Sequence, residues 1–267
     1  QSEQTVLFVL RFDAHETDLA RYPWELLYDG KQHIGARKPI QLVRSITYEY
    51  ATTPLKVSPP VRLLYVHARP EELGFPAKEQ EYMRVEQSIQ SLVQSGFLEM
   101  ESLHNCSWIE RLDKIQALET HILHVDVHGQ FGCYCDKCQK VYPPNQKNCQ
   151  VCGLNLTKPE GFVALEKNTY AADWVSSTAM SNIFDARLRL AVISACRSSV
   201  VRGETLFGGV APSFIRAGVP AVVGMQLPIS FEDAAEFAKG FYSALSRFKS
   251  VPAAMVDGRH YLLRPKQ

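Results

Sequence analysis

Short apolar runs alternate with longer amphipathic stretches along most of this chain. VRLLYVHA (residues 61–68) is an apolar run bounded by SPP and RPEE, and it predicts a strand. Residues 78–94 place Tyr82, Val85, Ile89, Leu92 and Val93 at helical spacing. FLEME (97–101) alternates as a strand does, and SWIE (107–110) reads as a capping box opening a helix to about Leu118. HILHVDVH (121–128) predicts a third strand, FVALE (162–166) a short one, and residues 171–180 a helix. LAVISA (190–195) is almost wholly apolar, as in a sheet covered on both faces. Residues 205–217 read as helix and AVVGM (221–225) as strand. Ser230 caps a helix over 233–245, where Phe237, Phe241 and Leu245 share a face, and residues 252–263 form a closing helix. Strand alternating with helix predicts an α/β fold, a parallel sheet between helix layers. The first 55 residues fit less well: PWELLYD (23–29) and IQLVRSI (40–46) suit edge strands or a hairpin.

Composition narrows what this fold can do. The 267 residues are 46% hydrophobic, enough for a core of native size, and the net charge of +1 argues against a general nucleic-acid binder. No run of about 18 apolar residues exists, so no transmembrane helix is expected. The N-terminal stretch lacks the basic start and cleavage site of a signal peptide, and without a Met it suits a piece of a longer protein. Of the cysteines, Cys133, Cys135, Cys138, Cys149 and Cys152 are clustered, while Cys106 and Cys196 stand apart. Such clustering fits metal binding in a reducing compartment, and a cytoplasmic location is expected.

Cys135-x2-Cys138 and Cys149-x2-Cys152 are two C-x2-C pairs, each able to put two thiolates on one ion within a tight turn. Two such turns facing each other predict one structural zinc ion in a ribbon spanning residues 133–158, with disulfides or free thiols as the alternative. Gly153 follows the second pair where a knuckle turn needs positive φ. The intervening VYPPNQKN is too short to bury a core, so metal would supply most of the folding energy here. Four thiolates leave no open position for catalysis, and Cys133 is either a swap ligand or a bystander.

A second chemistry is suggested by strand ends. In a parallel sheet, side chains from separate strands converge on a crevice at the C-terminal ends. His128 and Gly129 end one predicted strand, and VISAC puts Cys196 at the end of another, before the polar loop RSSVVRGE. Gly129 would let the backbone turn and leave an amide open to an oxyanion. Taken singly, Cys196 suits a small core residue and His128 a structural histidine; it is their combination and order that point to a nucleophile and its base.

These residues carry a family resemblance. YPWELLYDG, ILHVDVHGQF, VISACRSS and GETLFGGVAPSFIRAGVPAVVGMQLPIS occur in that order, and with them the chain resembles the CHAT family, caspase-like domains of the clan of caspases, metacaspases and separases. The resemblance covers nearly the whole chain, residues 1–267, as one protease domain with the ribbon inserted. It implies a caspase-like α/β/α sandwich with a mostly parallel sheet, in which His128 is the general base and Cys196 the nucleophile of a cysteine peptidase. The chain departs from the family pattern in its ribbon, in Leu227 where Trp is frequent, and in Asp126 where a small residue is usual.

Asp126 and His124 share a strand face with His128 by alternation. Asp126 could orient the imidazole, hold its charge or line the S1 pocket; a bond to a loop amide is the plainer role, and His124 reads as structural. Ser194 and Ala195 precede Cys196 without the acid that Arg- or Lys-preferring relatives carry; Asp126 is the remaining acidic candidate and Arg197 a basic one, neither decides the P1 preference, and an Asp-specific pocket is the less favoured. The expected partners are a protein or peptide substrate and a regulatory domain or activator, as the resemblance implies for a regulated effector of the kind that serves prokaryotic defence. The rival class is a catalytically silent scaffold binding a partner through the ribbon. A nucleic-acid-binding ribbon would need more stacking aromatics beside Lys137, Lys140, Lys147 and Lys158.

Overall fold

The computed structural model describes residues 4–13, 19, 22–47, 57–74, 79–105, 107–167, 170–194, 206–225 and 229–263. In chain order its strands are β1 (Val6–Asp13), β2 (Ile40–Thr47), β3 (Val61–His67), β4 (Leu98–His104), β5 (Ile122–Asp126), β6 (His128–Cys135), β7 (Lys140–Tyr142), β8 (Glu160–Glu166), β9 (Ala172–Ser176), β10 (Leu190–Ile193) and β11 (Ala221–Gly224). Its helices are α1 (Glu79–Gln94), α2 (Trp108–Ala117), α3 (Ser177–Asn182), α4 (Leu206–Arg216), α5 (Phe231–Ser246) and α6 (Val251–Leu262). Among the described residues no helix is long and apolar enough to cross a membrane.

The chain divides into two compact units. One comprises Gln1–Glu49, Lys78–Leu98 and Ile229–Gln267. In it β1 and β2 pair in parallel, not as a hairpin, and PWELLYD forms a short 3-10 turn over Trp24–Leu26 in place of a strand. The Ser230 cap holds, its hydroxyl accepting from the Asp233 amide at 3.1 Å. Gly240 and Gly258 let α5 and α6 lie close: a Cβ on Gly258 would fall 2.7 Å from the Phe237 ring.

The other unit, Tyr50–Ala77 with Glu99–Pro228, carries the central sheet in the order β11-β10-β5-β3-β4. β3, β5, β10 and β11 run in parallel. This mixed α/β architecture with a mostly parallel central sheet is consistent with a caspase-like fold. Numbered along the chain, the five strands fall in the order 2-1-3-4-5, so the connection reverses direction between β3 and β5. Strand alternation sorts the side chains: Leu64, Val66, Leu123, Val125, Ala191 and Ile193 lie in one apolar core with Trp108, Met180 and Phe214. Tyr65, His67, His124 and Asp126 occupy the alternate positions and are buried as well.

A second, antiparallel sheet has the order β7-β6-β8-β9. It corrects two expectations. Residues 171–180 are not one helix: Ala172–Ser176 pair with β8, and the helix starts only at Ser177, because the β8 ladder claims Trp174 and Val175. HILHVDVH is not one strand either: β5 stops at Asp126, Val127 bends, and His128 opens β6 opposite Ala164. The capping box of α2 is also replaced. The Ser107 hydroxyl donates to Asp173 Oδ2 (2.9 Å), and that same oxygen accepts from the Trp108 amide (3.1 Å), so a carboxylate from β9 caps the helix.

Candidate active site and metal centre

The C-terminal ends of β3, β5 and β10 meet where the strand order reverses, the place at which open α/β sheets bind ligands. At the end of β3, His67 pairs with Asp126 of β5. Beyond β10, Ser194 donates its amide to Val125 O (2.7 Å), and its hydroxyl lies 3.1 Å from His124 Nε2. His124 is thus buried and bonded to the residue that follows β10. Cys196 follows two positions further along the sequence and lies outside the described residues, as do Ala195, Arg197, Leu227 and Cys106.

Asp126 shares its strand face with His124, but its carboxylate does not turn to His128. Oδ1 accepts from Arg69 Nη2 at 2.5 Å and Oδ2 from the Tyr65 hydroxyl at 3.2 Å. Both side chains of the Arg69–Asp126 pair are 2% exposed. Burial pushes the Asp126 carboxyl up, and the guanidinium and phenol pull the other way. Arg69 also donates Nη1 to the carbonyls of Asp126 and Ala68, both at 3.0 Å, and its own amide donates to Glu166 Oε1 at 2.9 Å.

His128 is buried, and the imidazole of His67 lies close enough to feel its charge. Burial, then Arg69, His104 and His128, drive the His67 pKa down to about 2, so this imidazole is neutral. His124, with burial alone as the cause, falls to about 3. Gly129 makes no sharp turn; it continues β6 opposite Val163, and no described strand flanks the other edge of β6 at that point.

At its far end the same strand becomes the ribbon. β6 pairs with β8 as far as Gly132, then with β7 from Cys133 to Cys135. The crossover is tight: a Cβ on Gly132 would collide with the Tyr142 carbonyl oxygen. The two C-x2-C turns are built alike. Gln139 (φ 53°) donates its amide to Cys135 O (2.7 Å), and Gly153 (φ 73°) donates to Cys149 O (2.9 Å). Glycine's positive φ is thus used as the sequence suggested, and a non-glycine does the same work in the first turn.

The sulfur atoms of Cys135, Cys138, Cys149 and Cys152 all lie within 4.8 Å of one another, and none is in a disulfide. One ion about 2.3 Å from each sulfur suits such a cluster, so the four could hold a metal ion. The Cys138 amide donates to Cys135 Sγ (3.5 Å), a contact that fits sulfur as an electron-rich acceptor, and the Tyr142 hydroxyl lies 3.1 Å from Cys149 Sγ. Cys133 stands outside the group, its thiol against Pro144 O. The ribbon also touches the end of β8: Lys167 Nζ donates to Gln139 Oε1 at 2.8 Å, directly after the glutamate that holds Arg69.

Sequence reasoning missed Arg69, Tyr65, His67 and Glu166. A polar residue in each of two parallel strands at matched register, followed by an arginine, was the available signal. The search of curated proteins returned no match. A family model described as the CHAT domain matches residues 4–267. The chain thus belongs to the CHAT family, which is related to the caspase-like cysteine peptidases.

Proposed function

We propose that the chain is a cysteine endopeptidase in which Cys196 is the nucleophile and His128 its base. The observation that supports this reading best is the bonding of Ser194, two residues before Cys196 in the sequence, to β5, which leads through Val127 to His128. In this mechanism His128 takes the Cys196 proton and the thiolate attacks the scissile carbonyl carbon, forming a C–S bond. The amides of Gly129 and Cys196 hold the oxyanion. As the tetrahedral intermediate collapses, the C–N bond breaks and His128 gives its proton to the leaving amine. Water, deprotonated by His128, then hydrolyses the thioester and restores the thiol.

Asp126 serves this site as a buried counter-ion of Arg69 and does not contact the imidazole. The metal of the ribbon is structural zinc, held by Cys135, Cys138, Cys149 and Cys152; it fixes the ribbon and takes no part in bond breaking. Free thiols in this number suit a reducing compartment, the cytoplasm, and a regulated effector acting on a protein substrate. The test is a proteome-wide cleavage profile of the chain against its Cys196→Ala and His128→Ala forms. Cuts present only with the parent chain are expected. Equal cutting by Cys196→Ala overturns the assignment, and no Cys196-dependent cut in any condition, including with candidate activators, transfers it to a scaffold.

A further inference from the structure

We infer that Arg69 is a positioning residue for His128, clamping the two strand ends between which the imidazole is hung; this rests on the reading of His128 as the base. The chain leaves the parallel sheet at Asp126 and enters the antiparallel sheet at His128, with Val127, fully buried, as the whole connection. The direction of that step depends on the peptide plane after Asp126. Arg69 holds this residue twice, by its carbonyl oxygen (3.0 Å) and by its carboxylate (2.5 Å). On the other side His128 pairs with Ala164 of β8, and Glu166, at the end of that strand, accepts the Arg69 amide at 2.9 Å. One residue thus fixes the strand before His128 and the strand beside it.

Stability alone is a poor account of this clamp. Taking a guanidinium and a carboxylate out of water carries a large desolvation cost, and apolar pairs of similar volume often stabilise as well or better. The planar fork does something an apolar pair cannot, which is to set an angle at a chosen peptide. Lysine, a point charge with no fork, cannot hold carbonyl and carboxylate in the same geometry. The charged and titratable groups around the clamp are Tyr65 and His67 from β3, His104 from β4, Asp126 from β5 and Glu166 from β8, and they are unchanged in an Arg69→Lys chain.

The experiment is alkylation of Cys196 by iodoacetamide as a function of pH, read on the Cys196 peptide by mass spectrometry so that the ribbon thiols do not contribute. In the parent chain, pairing with His128 should let Cys196 react well below the ordinary thiol pKa of about 8.5. In Arg69→Lys, with circular dichroism unchanged, the profile should move towards about 8.5. A parental profile in a folded Arg69→Lys chain overturns the inference while leaving the peptidase reading intact. An isolated-thiol profile in the parent overturns the base assignment, and this inference with it. Should Arg69→Lys not fold, the paired Arg69→Gln, Asp126→Asn chain removes both charges together and leaves neither ion orphaned; the same alkaline shift is expected, and its absence overturns the inference.

Discussion

His128 and Cys135 open and close the same strand, yet their surroundings share little. Around His128 the chain is packed: Val127 and Ala164 are fully buried, and the core continues through Val163, Leu165 and Val125 into the parallel sheet. Around Cys135 the buried cluster among the described residues is Cys135, Tyr142 and Cys149, with Cys138, Cys152 and Leu156 half-covered, and Val151 stands 71% exposed. The first end draws its order from apolar area removed from water, at about 25 cal/mol per Å². The second has too little such area, and four converging sulfurs take its place. One ladder of hydrogen bonds therefore joins two folding regimes, and each should fail under a different challenge.

The largest expected effect separates them outright. With the proposed zinc bound, stripping it with a chelator should remove a contribution on the order of 10 kcal/mol from the ribbon alone. Hydrogen exchange should then accelerate across residues 133–158 while β3, β5 and β10 keep their protection; loss of protection in all of them would merge the two regimes into one. Next comes Asp126→Ala, which leaves the Arg69 guanidinium buried without its carboxylate. It should cost about 3–5 kcal/mol in urea unfolding of the packed end, with metal affinity unchanged. A change under about 1 kcal/mol would mean that water reaches the pair.

The most gradual effect is a slope with pH, measured on chelated protein so that the ribbon is silent. His67 and His124 stay neutral in the folded chain, with pKa values near 2 and 3, while in the unfolded chain they take up protons near 6.5. The unfolded state binds more protons, so stability falls as pH drops below about 6.5, by up to about 1.4 kcal/mol per unit for each histidine, down to about pH 3. Flat stability between pH 6 and 4, read by thermal unfolding, would show that these imidazoles charge in place.

How much of this could be read beforehand follows the same division. The ribbon was legible because its ligands are local: two C-x2-C turns and Gly153 announce themselves by spacing. The parallel strands were legible as apolar runs, and α1, α4, α5 and α6 as periodic stretches. The break at Val127 was not, since Val125 and Val127 are both buried and the alternation runs on unbroken while the chain changes sheets. Ala172–Ser176 misled for a related reason: ADWVS suits helix or strand, and only the distant β8 decides. β1 went unread because VLFVLRFD is exposed over Val6–Val9 and finds its partner far along the chain. Arg69 was easily overlooked because an arginine after a strand ordinarily reaches solvent, and nothing local says that an aspartate waits at the end of the neighbouring strand.

The register at Gly132 and Glu160 has a further consequence. Everything between those two facing residues departs and returns through adjacent rungs of one ladder, so the segment is attached like a cassette in a socket. A plain reverse turn could close the same gap, and other inserts of any length could be grafted there without moving the strands that carry them.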